Sequence, residues 1–356
     1  MPISKILPAS IQTPNPRNLV HNGGFMVYQR GGTITMSNAA VTPHIDRFTA
    51  YKNHDGANTV QQSTDGPEGF KNSLLVTTTT ADDSLTATQR VAILHRIEGQ
   101  DVAHLEFGTS SAKTITLGFW VKSSVTGTHG GAFSNGSWNR NYPFTYTISS
   151  SDTWEYKTIT AAGDTTGTWA TDTTTGLQIS WGLGVGSTFS GSAGSWAAGD
   201  INSATGATTS VVGTLNATWQ LTGVSLTEGS KALPFPHESY QETLHKCYRY
   251  LEKIGYAAGS YVYAAAYAYT TTGIRAVQHY THKRATPNFS FNNQGDVIVY
   301  YNGSSEDTSV SWNYHDIGLN SCRVSVTMSG TSTTAGYGAA LYVNGSVTYD
   351  VIVKAE

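Results

Sequence analysis

Over most of residues 19–230, apolar and polar positions alternate with a period of two. In "TITLGFWV", Ile115, Leu117, Phe119 and Val121 share one face, as on a half-buried strand. In "LQISWGLGVG", Leu177, Ile179, Trp181, Leu183 and Val185 share a face, and Gln178, Ser180, Gly182, Gly184 and Gly186 take the other. "LNATWQLTGVSLTEG" runs in phase through Leu215, Ala217, Trp219 and Leu221, then slips to Val224 and Leu226. A β-bulge near Gly223 accounts for the slip. Many short strands parted by Gly, Ser, Thr and Asn turns predict an antiparallel sandwich. Residues 186–210 form a long loop rich in Gly, Ala and Ser.

The alternation stops at "LPFPHESYQETLHKCYRY", residues 233–250. Pro234 and Pro236 cannot donate to a sheet ladder and end the last strand. Ser239 and Glu242 have capping-box spacing. Tyr240, Leu244, Cys247, Leu251 and Ile254 then fall on one helical stripe, which predicts a helix ending at Gly255. Four turns are not stable alone, so the stripe must lie against a domain or against its own copies.

After the helix, alternation returns. Tyr261, Tyr263, Tyr267 and Tyr269 are placed on one strand face. Asn302-Gly303 and Asn344-Gly345, each between alternating runs, predict two hairpins. Cys322 alternates with Val324, Val326 and Met328 and belongs to a core. The expected chain is all-β: an extended arm (1–18), a sandwich (19–236), a connecting α-helix (237–256) and a second antiparallel β-sandwich (257–356). The arm holds four of the ten prolines. It reads equally as a disordered tail or as an attachment arm that orders on a partner.

Charge changes the picture by exclusion. Charged residues make up 13% of the 356, about half the usual ~25%. The net charge is −3 with no basic block, which argues against nucleic-acid binding by charge neutralisation. No apolar run is long enough for membrane insertion, and the start lacks a signal-peptide pattern. Two cysteines, one in the helix and one in a strand, do not suggest a disulfide framework. Folding in a cytosol is expected.

Several stretches resemble one family. "NLVHNGGFMVYQRGG…HIDRFTAY", "RIEGQDVAHLEFGTSSAKTITLGFWVKSSVTGTHG", "RNYPFTYTISSSDTWEYKTITAAGDTTGTWATD", "WQLTGVSLTEGSKALPFPHESYQETLHKCYRYLEK" and "KRATPNFSF" are similar to bacteriophage tail-fibre and receptor-binding proteins. Those proteins carry a jelly-roll, carbohydrate-binding-module-like domain. The resemblance covers roughly 18–254 and fades beyond it, apart from 284–291. It implies a jelly-roll scaffold (19–236), a joint helix and a variable tip (257–356) as the candidate receptor-binding domain, on a virion appendage made in the host cytoplasm. It implies a homotrimer, attached through the arm to another tail protein and bound to a host-surface glycan. It supplies no catalytic residues. A decoration protein without a receptor and a polysaccharide depolymerase are the alternatives.

The chemistry of single residues adds little to this. No zinc spacing occurs among eleven histidines, and His279 and His282 fall on opposite strand faces. Asp82-Asp83, Glu98 and Asp101 are the acids to weigh for glycoside hydrolysis, which needs two carboxyls facing across a cleft; short acidic clusters of this kind are usually solvated turns. No cofactor is expected, and no loop has enough acids to name a calcium site. Aromatic residues are the best signal, because pyranose rings stack on them. Trp120, Trp154, Trp181 and Trp219 lie in strand patterns and are expected to pack inwards, whereas Trp138, Trp169, Trp196 and Trp312 lie near turns. Trp312, Asn313, Tyr314 and Asp316 form a candidate glycan contact, although period two puts Trp312 and Tyr314 on one face and Asn313 on the other. The candidate oligomer seam is Tyr240, Leu244, Cys247 and Leu251, with Tyr261, Tyr263, Tyr267 and Tyr269 as a second surface.

Overall fold

The computed structural model describes residues 17–38, 40–256, 259–291, 297–301, 305–329, 334–345 and 349–355. The arm lies outside them except for Arg17 and Asn18. The chain is nearly all β, in two compact units, Met1–Tyr240 and Gln241–Glu356.

The first unit has two antiparallel sheets. One runs Ile34–Thr35, Ala57–Ser63, Ser73–Thr80, Thr218–Glu228, Ile115–Ser123, Glu155–Ala161 in spatial order. The other runs Ala197–Ala198, Arg140–Ile148, Gly127–Asn135, Thr175–Val185, Arg90–Glu98, Phe48–Asn53, Ala40–Ile45. The in-phase residues found by alternation meet between them. Phe119 of the six-stranded sheet lies 5.9 Å from Trp181 of the seven-stranded one, edge to face. The indole N–H of Trp219 donates to the Tyr146 hydroxyl at 3.2 Å, so a wide apolar ring is buried without stranding its polar atom.

The bulge lies where the phase slip predicts it. The register shifts between Thr222 and Ser225, and Gly223 has φ +60°. A Cβ at Gly223 would meet Phe70 at 2.8 Å and Trp120 at 2.9 Å, so both conformation and space require glycine. The opening motif "NLVHNGGF" is fastened to the same place. Asn18 accepts the Leu226 N–H at 2.9 Å and donates to the Val224 carbonyl at 3.2 Å. Asn22 donates to the Val27 and Asp46 carbonyls, both at 2.9 Å. Asn18 thus holds the entry segment to strand Thr218–Glu228, and Asn22 ties it to Asp46.

The second unit differs from expectation in three respects. Its strands form a closed six-stranded barrel rather than a two-sheet sandwich, in the order Gly259–Ala268, Gly273–His279, Ser321–Met328, Ser305–His315, Val297–Tyr301, Gly338–Gly345. A separate three-stranded sheet holds Leu251–Tyr256, Tyr349–Lys354 and Asn288–Phe291. Asn344 and Gly345 pair with Ser260 and Gly259 inside the barrel, and the strand after them joins the small sheet, so no hairpin forms there. Asn302-Gly303 lies outside the described residues, and its flanking strands pair antiparallel.

The helix is also shorter, Tyr240–Tyr248, and Leu251–Tyr256 is a strand. Pairing of Leu251 with Lys354 and Ile254 with Val351 overrides the helical spacing. A long-range ladder of this kind leaves no trace in local periodicity. Lys283, with no exposed side-chain surface, donates to the Tyr248 carbonyl and to Glu252, each at 2.6 Å. It thus satisfies an end carbonyl of the helix.

The candidate seam breaks up accordingly. Tyr240 is exposed and Leu244 half-buried, while Cys247 and Leu251 are each 1% exposed within their own unit. No continuous helical stripe joins them. On the tyrosine strand the register slips between Val262 and Ala264, which breaks the alternation a common face requires. Tyr267 is exposed and Tyr269 half-buried. The side chains of Tyr261 and Tyr263 are not among those described.

Candidate functional site

The candidate cluster at 312–316 is split by the barrel wall. Trp312 is opposite Val326, is 6% exposed and belongs to the barrel core. It cannot present its ring to a sugar, and the glycan contact built around it is corrected on that ground. Tyr314, opposite Val324, is half-buried and stacks on Phe289 with centroids 4.1 Å apart. Asn313 and Asp316 face solvent, and Asp316 pairs with Arg323 at 2.8 Å.

In the first unit, the outer face of the seven-stranded sheet is occupied by the chain itself. The 186–210 loop crosses it, and Ser180 donates to the Asn202 carbonyl at 3.1 Å. Arg90 fixes the loop: its guanidinium lies 3.7 Å from the Phe189 ring centroid, pairs with Asp200 at 2.9 Å and bonds the Asn202 side chain. The glycines opposite the apolar phase now have a reason. A Cβ at Gly182 or Gly130 would run into Ser203, so the small residues let the loop lie flat.

The outer face of the six-stranded sheet is covered along its central strand, where Gln220, Thr222, Ser225 and Thr227 are buried, and is exposed towards the Glu155–Ala161 edge, where aromatic rings lie. Trp120 is out of phase with Leu117, Phe119 and Val121 and points away from the core. Tyr156 is directly opposite it on the edge strand, with ring centroids 5.4 Å apart and planes at 54°. A Cβ at Gly118 would sit 2.2 Å from the Tyr156 hydroxyl. Glycine there lets the phenol ring lie down across the strand, with 42% of the residue exposed. Burial of the other side pushes the Tyr156 hydroxyl pKa up.

Polar groups border the rings. Lys122, on the same face as Trp120, pairs with Asp65 and lies 5.3 Å from the Trp154 ring centroid. The Trp154 indole donates to Asp65 at 3.3 Å. The Lys122 hydrogen bond holds the Asp65 carboxyl below its ordinary pKa, aided by Trp154. Gln220, opposite Lys122, donates to Ser73 at 3.2 Å. Beyond the bulge, Phe70 meets Phe235 edge to face at 5.0 Å and His237, tilted, at 5.1 Å. The face is therefore a strip of partly exposed rings edged by groups that donate and accept hydrogen bonds.

Trp181 and Trp219 pack inwards as expected, but Trp120 does not. Its sequence signal was its phase, opposite to Ile115, Leu117, Phe119 and Val121. Tyr156, Lys122 and Asp65 had no such signal, because strand pairing brings them together. The acids considered for catalysis are engaged elsewhere. Asp82 is buried against His54 at 3.3 Å, Asp101 pairs with Arg17 at 2.8 Å, and Glu98 accepts from Gln100 at 2.9 Å. Among the described residues, no three His, Cys, Asp or Glu side chains group as a metal site.

No protein-family model matches the chain, and no curated protein matches it. Solved structures do. The enzymatically active domain of bacteriophage CBA120 tailspike protein 4 is 13% identical with a TM-score of 0.30, over 60% of this chain and 21% of that one. A family 4 carbohydrate-binding module is 16% identical, with a TM-score of 0.30, over 59% and 99%. The family 11 module of Clostridium thermocellum, in complex with a β-1,3-1,4-mixed-linked tetrasaccharide, is 10% identical, with a TM-score of 0.29, over 56% and 98%.

Proposed function

We propose that this is a non-enzymatic glycan-binding protein of a bacteriophage tail appendage, and that its sugar contact is the outer face of the six-stranded sheet. The observation that carries the glycan reading is the Trp120–Tyr156 pair, laid at the exposed edge of the sheet beside Lys122, Asp65 and Trp154. A pyranose offers apolar C–H faces and a rim of hydroxyls. Rings match the first and the bordering polar side chains match the second. Rigid sheet placement lowers the entropy lost on binding. The tail location rests on the sequence resemblance, as does the homotrimer. Three copies would raise a weak sugar affinity by multivalency.

The test is adsorption of the purified chain to host cells, alone and against purified surface polysaccharide. Wild type adsorbs and the polysaccharide competes. Tyr156→Ala, at a surface position, loses adsorption without loss of melting temperature, while Tyr156→Phe keeps most of it. Normal adsorption by a folded Tyr156→Ala protein contradicts the proposal. Release of new reducing ends indicates a depolymerase instead, and absence of any binding favours a decoration protein. A monomer mass by light scattering at micromolar concentration contradicts the trimer.

A further inference from the structure

The closed barrel of the second unit is thinly paired on one side. Strand Gly259–Ala268 pairs with Gly273–His279 over Ala266–Ala268 and Ile274–Ala276, three residue pairs. The second strand continues to His279 paired on its other side, along Ser321–Thr327. Where the two strands part, a groove of about 920 Å³ opens, within the range of ligand sites. Its floor includes Ala264, Ala276 and Cys322. Burial pushes the Cys322 thiol up to about 12, so this floor is neutral.

The walls are cationic and incompletely bonded. Arg275 and Arg323 both line the groove, with His279. The strand register places Arg323 opposite Val277, two residues along from Arg275 on the same face, so the guanidiniums are diagonal neighbours. Arg275 lies 3.9 Å from the Tyr269 ring centroid, and its Nε finds no hydrogen-bond partner among the described residues. Arg323 holds Asp316, the one acid lining the groove among the described residues. Gln278 also lines it and is 8% exposed. Its Nε2 donates to the His279 carbonyl at 2.8 Å, but its Oε1 has no donor among the described residues. Gln278 is opposite Cys322 and alternates with Arg275 and Val277, so it faces the barrel interior while the arginines face outwards.

We infer that this groove is a second, separate ligand site that takes an anionic saccharide, its carboxylate or phosphate held between Arg275 and Arg323. Guanidinium forks match both kinds of oxyanion. The inference rests on the glycan-binding reading and adds the charge class of the glycan.

The full chain is titrated at physiological salt with a galacturonic-acid oligosaccharide, with the same oligosaccharide after carboxyl reduction, and with a phosphorylated oligosaccharide of equal length. The acidic form binds roughly tenfold more tightly than the reduced form, the effect of one charge-assisted bond. Arg275→Gln and Arg323→Gln each reduce that preference. Val277→Glu, at an exposed position between them, abolishes it without touching either arginine. Equal binding of charged and reduced forms, or an unchanged preference in Val277→Glu, overturns the inference. A phosphorylated form as tight as the uronic acid extends the site to phosphate, and a weaker one restricts it to carboxylates. If the reduced form binds and Tyr156→Ala removes that binding while no charge preference exists, the groove fails and the sheet-face reading stands. If Tyr156→Ala leaves all binding intact and the charge preference persists, the sheet-face contact fails and the groove stands.

Discussion

Gly118→Ala tests the sugar platform by moving a ring without deleting one. The added Cβ would lie 2.2 Å from the Tyr156 hydroxyl, where ordinary contact is about 3.5 Å. The phenol must therefore lift by more than about 1 Å, which tilts it away from the strand and changes its 54° angle to Trp120. The cost in stability is small, because the clash is with the far end of a partly exposed side chain. Alanine also recovers about 0.5–1 kcal/mol relative to glycine in a strand. Binding loses the stacked contact, about 0.5–1.5 kcal/mol, or roughly a 2- to 12-fold weaker dissociation constant. The assay is a calorimetric titration with whichever surface oligosaccharide the wild type binds, with thermal melting in parallel. Unchanged affinity in a protein that melts normally would refute the placement of the sugar over Tyr156.

Other outcomes follow from packing. Trp312→Ala should cost about 3–5 kcal/mol by emptying the barrel core, read by chemical denaturation; a neutral result contradicts its core assignment. Lys283→Ala should cost about 3 kcal/mol, because it removes the cation paired with Glu252 and the donor to the Tyr248 carbonyl at the helix end. Gly223→Ala should cost about 1–3 kcal/mol through its left-handed φ and should disturb Trp120. Burial holds the His95 pKa well below its ordinary value, and burial also lowers that of His129. These residues fold as neutral rings while the unfolded chain takes up protons below pH ~6.5. Stability is therefore full above that pH and falls below it, by about 1.4 kcal/mol per pH unit for His95. Denaturation midpoints at pH 7 and 5 check this, and His95→Phe should flatten the slope.

Strand phase carried much of the first unit's fold. Leu177, Ile179 and Trp181 share the core because alternation is local, and the slip at Gly223 marked the bulge for the same reason. The end of the helix was not legible. Leu251 and Ile254 fit the helical stripe and a strand equally well, and a ladder to residues about a hundred positions away decided between them. Asn344-Gly345 failed likewise: turn chemistry was present, but the flanking strands found partners in different sheets. The site was half legible. Trp120 was out of phase with four core residues, whereas Tyr156 reached it only through pairing, and Trp312 met its own alternation and packed inwards.

The most direct measurement of the glycan reading is saturation-transfer NMR on the full chain, with aromatic protons irradiated and a host-surface oligosaccharide present. The account predicts transfer to the C–H protons of one pyranose face, reduced in folded Tyr156→Ala and in Trp120→Ala. Transfer that both variants leave unchanged would contradict it.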